Sequence, residues 1–148
     1  MIETNVAGGS AAALSTLLYV SELAEGGAVA VDGICRQSRA NNARVGITGV
    51  LVFDGHAFCQ FVEGPQPAIA DLLGRLERDP RHVKMHVLQF GRTNWPRRFA
   101  SWRLGYAYSA DPAAIARIAA RRDDAALAAF TDWIPALTPS DQSEARDG

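Results

Sequence analysis

Four side chains in this sequence have the types and spacing to read a flat, polar ligand: Tyr19, the adjacent amides Asn41 and Asn42, and Gln60. Gln60 sits inside the apolar run Phe58-Cys59-Gln60-Phe61-Val62. A buried amide without a partner costs about 1 to 3 kcal/mol, so a glutamine there implies something specific to hydrogen-bond. The asparagines stand just before Gly46-Ile47-Thr48-Gly49, a glycine-bracketed strand start. Three amides converging on one apolar site suit a planar heteroaromatic ligand.

Positioning those groups takes alternating strands and helices. Residues 14–21 read as a first strand, with Thr16, Leu18 and Val20 on one face and Leu17, Tyr19 and Ser21 on the other. A helix follows over about 28–40, and its interior Gly33 costs about 1 kcal/mol relative to alanine, which points to close packing against a flat neighbour. Strands over 46–53 and 57–63 are joined by Asp54-Gly55, a strong hairpin signal. Pro65 suits the first turn of a second helix, in which Ile69, Leu72, Leu73 and Leu76 form a stripe facing the sheet. Residues 83–90 and 99–108 read as fourth and fifth strands. Helices over 112–121 and 124–134, carrying Ile115, Ile118, Leu127, Phe130 and Trp133, would cover the second face. The β-α-β-β-α-β order is ferredoxin-like. The expected fold is therefore α+β: a five-stranded mixed sheet with two helices on one face and two C-terminal helices on the other.

Composition narrows the partners. The 148 residues, 48% hydrophobic, fit one domain with a sizeable core. A net charge of -1 gives no electrostatic case for nucleic acid, and no stretch approaches the ~20 apolar residues of a membrane span. Cys35 and Cys59 form no CxxC pair, so neither a disulfide framework nor a metal site is expected. Free thiols suit a reducing, cytoplasmic compartment. Residues 1–13 read as a disordered leader, 14–108 as the ligand-binding domain, 109–134 as a helical extension and 135–148 as a disordered tail.

Alternation puts Phe58, Gln60 and Val62 on one face of the third strand, and Trp102, Leu104 and Tyr106 on one face of the fifth. If Gln60 shares its face with Tyr19, a pocket forms from Tyr19, Ser21, Asn41, Asn42 and Gln60. A phenol and these amides suit the polar edge of an isoalloxazine ring, whose carbonyls accept and whose N–H donates. Simpler readings stand beside this one. Tyr19 could be a core aromatic, Asn41-Asn42 a helix C-cap, and His82 a solvated loop histidine. Arg92, Arg97 and Arg98 near Trp95 could be plain solvated surface.

The runs Leu18-Tyr19-Val20-Ser21, Ser38-Arg39-Ala40-Asn41-Asn42, Gly46-Ile47-Thr48-Gly49-Val50-Leu51, Phe58-Cys59-Gln60-Phe61-Val62-Glu63-Gly64, Arg78-Asp79-Pro80-Arg81-His82 and Arg98-Phe99-Ala100-Ser101-Trp102 fall in one order and spacing. In these the chain resembles the BLUF domain, the blue-light sensor that uses FAD, in its short stand-alone form. The resemblance implies that Tyr19 donates an electron and then a proton to the excited flavin, and that Gln60 bridges that phenol and the ring. It implies that Asn42, with Asn41 beside it, binds the ring edge. Arg75, Asp79, Arg81 and His82 then take the ribityl and phosphate groups, where a cation is the expected partner of a phosphate, and Ser38 is a further cofactor-binding residue. Trp102 and Leu104 fall on the strand that carries the signal onward, with Leu104 where many members have methionine. The implied cofactor is FAD, with FMN or riboflavin as alternatives. The implied output is not enzymatic: it passes to a downstream protein through the C-terminal helices or the sheet, in a homo-oligomer. Two rival readings are an acylphosphatase-like hydrolase using Arg44 and a cofactor-free interaction module.

Overall fold

Strand β1 (Leu14–Leu23) lies inside the sheet with a strand paired on either side, and its nearly unbroken burial explains why apolar residues occupy both of its faces. The computed structural model describes residues 14–24, 31–93, 95–99, 105–136 and 138–139. After β1 come α1 (Val31–Val45), β2 (Thr48–Phe53), β3 (Ala57–Pro65), α2 (Gln66–Arg78), β4 (His82–Thr93), β5 (Gly105–Tyr108), α3 (Ala114–Ala119), α4 (Asp123–Trp133), a 3-10 turn (Ile134–Ala136) and β6 (Thr138–Pro139). The strand order is β4-β1-β3-β2-β5-β6. Neighbours among the first four strands pair antiparallel, and β5 joins β2 in parallel. This is the expected α+β, ferredoxin-like, five-stranded mixed sheet. Two residues extend it at the β5 edge, where β6 pairs with Ala107 and Tyr108. Thr138 and Pro139 therefore form a strand within a tail that the composition reads as disordered.

Each face of the sheet packs its own helices. Leu17, Tyr19 and Val62 pack with Ile47, Ile69 and Leu72, with Val45 of α1 and Leu76 of α2 against them. On the other face Leu18, Val20, Val52 and Phe61 meet Ile115 and Ile118 of α3 and Leu127 and Phe130 of α4. Fully burying each such side chain contributes about 1.5 to 3 kcal/mol. The Phe61 ring lies 5.9 Å from Phe99 and 6.0 Å from Phe130.

Helix α1 runs past residue 40 to Val45. Gly46 stops it by taking a left-handed φ of 79°, and Ile47 N–H donates to Asn42 O at 2.9 Å, the outer bond of a Schellman cap. Asn41 and Asn42 therefore sit inside the last helical turns, and the capping reading of these amides does not hold. Ala43 and Arg44 favour continuing the helix, and Gly46 is the first residue that turns left-handed without steric cost.

The hairpin forms where Asp54-Gly55 predicts it, with one added device. Asp54 N–H donates to Ala57 O at 3.1 Å, while the Asp54 carboxylate accepts from His56 N at 2.9 Å and Ala57 N at 2.7 Å. Glycine is also required at Gly49, where an added Cβ would collide with Phe61 O and lie 2.9 Å from Val62 Cα. Gly49→Ala is expected to destabilise the fold by about 1 to 3 kcal/mol, seen as a lower urea midpoint at unchanged m-value.

Among the described residues β5 begins at Gly105, and Phe99 lies in a bend and not in the strand expected from 99. Trp102 and Leu104 lie outside the described residues.

Candidate functional site

Tyr19 and Gln60 are direct partners in the β1/β3 register. Tyr19 Oη donates to Gln60 Oε1 at 2.5 Å, and both residues are only 4% exposed. This bond uses the amide oxygen and leaves the two Nε2 protons to serve a different acceptor. Leu51 is the partner of Gln60 on β2. With Phe58, Ser38, Leu76, Asp79, Arg81 and His82 it closes a cavity of about 40 Å³ against the phenol and amide.

A second cavity of about 430 Å³ lies between α1 and α2 and shares Ser38, Leu76, Asp79 and Arg81 with the first. Gln37, Asn41 and Asn42 wall it from α1, and Leu72, Arg75 and Arg78 from α2. Its size falls in the range of small-molecule sites, about 300 to 1,000 Å³. The inner cavity has little more than one water's volume, ~30 Å³. It can receive the edge of a ring system whose body lies between the helices. Asn42, 1% exposed, is among the residues that wall the outer cavity.

All nine residues expected to hold the ligand line these adjoining cavities. Tyr19, Gln60 and His82 line the inner one, Asn41, Asn42 and Arg75 the outer, and Ser38, Asp79 and Arg81 both. Ser21 lines neither. It stands opposite Phe58, two residues further along β1, and borders a separate cavity beside α3. Arg44 also lines neither; its guanidinium donates to Asn41 Oδ1 at 3.0 Å on the exposed side of α1. The arginine cradle of an acylphosphatase-like site is thus not assembled.

Past the end of α2 the chain makes a compact ionic turn. Asp79 accepts from Arg81 Nε at 2.9 Å, from its terminal nitrogen at 2.7 Å and from its backbone N–H at 2.9 Å. The Arg81 guanidinium holds the Asp79 carboxyl below its usual range, and Asp79 raises Arg81 in return. A depressed carboxyl contributes stability above its unfolded value of 3.8 and loses it as pH falls through the folded value. The melting temperature is therefore expected to drop on acidification below about pH 4, and Asp79→Asn should remove that part of the slope. His82 is not a solvated loop residue: its Nε2–H donates to Leu76 O at 2.8 Å, and its ring lies 6.1 Å from that of Tyr19.

Arg75, Arg78 and Arg81 line the outer cavity, where Arg81 pairs with Asp79 and Arg75 with Asp71 at 3.2 Å. The cleft thus offers cations for an anionic group beside polar groups for the edge of a ring. Gln37 and Arg78 are site residues that the sequence reading missed, although each lies one helical turn from a predicted one, Asn41 and Arg75. Leu72 and Leu76 were expected only in the sheet-facing stripe, yet they also wall the cleft.

On the other face of β3, Glu63 is a further unexpected feature. It is 1% exposed, and its carboxylate accepts from Arg98 N at 3.0 Å and Phe99 N at 2.6 Å. Burial pushes this carboxyl up, opposed by those two N–H bonds and the nearby Arg97 and Arg98 charges.

A phenol bonded to an amide beside a cation-lined cleft, on a ferredoxin-like sheet, suits a flat, polar ligand that carries an anionic group. The family model described as BLUF, sensors of blue-light using FAD, matches residues 14–105, and the chain belongs to that family. The photoactivated adenylate cyclase subunit beta of Euglena longa is 32% identical over 95 residues, covering 62% of this chain and 11% of that protein. The subunit beta of Euglena gracilis is 35% identical over 71 residues, covering 47% and 8%. The chain thus spans about a tenth of these curated relatives. Among solved structures, the dark-state BLUF protein BlrB aligns with a TM-score of 0.62 and 33% identity over 71% of this chain and 80% of that one. Klebsiella pneumoniae BlrP1 with FMN and cyclic diGMP aligns with a TM-score of 0.58 and 30% identity over 63% and 25%. Among the described residues no helix is long and apolar enough to cross a membrane.

Proposed function

We propose that Tyr19 is the light-driven electron and proton donor of this photoreceptor and that Gln60 holds the signal as a rearranged set of hydrogen bonds. The flavin, when bound, supplies blue absorption and an electron-accepting excited state. Tyr19, a phenol with a reference pKa of about 10, is protonated in the dark and becomes strongly acidic once oxidised. Its proton therefore follows its electron, and both return as the site relaxes. Gln60 offers an acceptor on one side and donors on the other. Reordering its amide strengthens the bond to a ring carbonyl and moves the absorption to the red. The observation that carries this reading is the buried 2.5 Å Tyr19–Gln60 hydrogen bond.

In the same reading Asn41 and Asn42 hold the ring edge. Ser38, Arg75, Asp79, Arg81 and His82, with Arg78, take the ribityl chain and phosphates. FAD is the proposed cofactor, since three arginines lining the outer cavity suit a diphosphate; FMN or riboflavin would engage fewer of them. Trp102 and Leu104 carry the change toward β5. No substrate is turned over, and the output passes through α3, α4 or the sheet to an effector protein, or through a homo-oligomer. Work in the cytoplasm suits the free, buried thiol of Cys59. Purified protein should be yellow, its flavin band should shift reversibly to the red under blue light, and chromatography of the released cofactor should give FAD. Folded but colourless protein would overturn the reading.

A further inference from the structure

We infer, on the photoreceptor reading just given, that Glu63 is a positioning residue that couples the photoactive strand to the segment entering β5, and that light loosens this attachment. Three consecutive residues are tied to the same point. Arg98 and Phe99 donate their backbone N–H groups to the Glu63 carboxylate at 3.0 and 2.6 Å. Arg97 donates through its guanidinium to Thr48 Oγ1 at 3.0 Å and to Glu63 O at 3.4 Å. Thr48 and Glu63 are themselves cross-strand partners. A buried carboxylate is costly unless it is hydrogen-bonded, and packing alone would be served by an apolar side chain. The clamp on Arg98 and Phe99 is what this carboxylate does.

Its location makes the clamp responsive to the cleft. Gln60 and Glu63 lie three residues apart on β3, about 10 Å, so their side chains leave opposite faces of the sheet. Gln60 faces the ligand cleft, and Glu63 the side covered by α3 and α4. A change in the pleat of β3 that follows rearrangement at Gln60 is therefore delivered through the sheet. Beyond the clamp Phe99 packs on Phe61, Phe61 on Phe130 at 6.0 Å, and Phe130 on Trp133 at 6.1 Å near the end of α4. Among the described residues β5 begins where Gly105 pairs with Val50. Clamp and pairing thus bracket the segment that includes Trp102 and Leu104.

Amide hydrogen exchange at Arg98 and Phe99, measured by NMR on the flavin-loaded protein, tests this directly. Exchange at both sites is expected to be roughly three- to tenfold faster under continuous blue light than in the dark, the ratio set by one hydrogen bond's net worth. In Gln60→Leu the difference should vanish. Equal exchange in light and dark, in protein whose flavin band does shift, overturns the coupling; absence of the band shift itself counts against the photoreceptor reading instead. Glu63→Gln keeps one acceptor oxygen and loses the other. It should retain the full initial red shift and recover in the dark roughly threefold more slowly, because the bond it loses favours the dark state. Recovery at the parent's rate would likewise overturn the coupling.

Discussion

Replacing Gln60 with leucine, or Tyr19 with phenylalanine, is expected to give a yellow protein whose colour no longer shifts reversibly in light. Each change removes one end of the 2.5 Å bond at the closed end of the cleft and leaves the bulk of the side chain in place. The amides and arginines of the outer cavity remain, so flavin binding should survive. Tyr19→Phe deletes the proton that must follow the electron. Gln60→Leu deletes the amide whose bonds would rearrange. The same pair predicts a stability pattern, because each single change removes the same buried hydrogen bond, at a cost of about 1 to 3 kcal/mol. The double variant loses that bond only once, so its urea midpoint should fall by less than the sum of the two single changes. A normal light-minus-dark spectrum in either single variant would dismiss the assigned roles.

The features that could be read from the sequence were those set by local periodicity and by turns. Asp54-Gly55 located the hairpin, whereas the pocket rested on the condition that Gln60 shares a face with Tyr19, which strand alternation alone could not decide and the β1/β3 register meets. The stripe of Ile69, Leu72 and Leu76 likewise faces where its helical spacing says it should. What escaped depended on partners remote in the chain. Helix α1 continues to Val45 because its stop is the left-handed Gly46, and an asparagine pair looks equally suited to that job. β6 exists because β5 offers an open edge, which nothing in Thr138-Pro139 announces. Ser21 has the right parity for the cleft but lies too far along β1 to reach it. Glu63 reads as one residue in a strand-ending turn; only the fold brings Arg98 and Phe99 to its carboxylate.

Asn42→Ala and Gly46→Ala should separate ligand binding from helix capping, two jobs that the sequence places four residues apart. The cap bond from Ile47 ends on the backbone carbonyl of Asn42, which alanine retains. The side chain it loses is a 1% exposed amide on the wall of the 430 Å³ cavity. Hydrogen bonds from such a group are worth about 1 to 3 kcal/mol, so the flavin Kd should weaken roughly five- to 150-fold by fluorescence titration. Gly46→Ala makes the opposite change. Its Cβ would find ordinary space, 3.7 Å from Pro65 Cδ, so the cost is that of holding an L residue at φ 79°. That cost is about 1 to 2 kcal/mol of unfolding free energy, and the flavin affinity of the folded protein should not change. If Asn42→Ala instead lowered stability and left the Kd at the parent value, its amide would belong to the helix end and not to the ring.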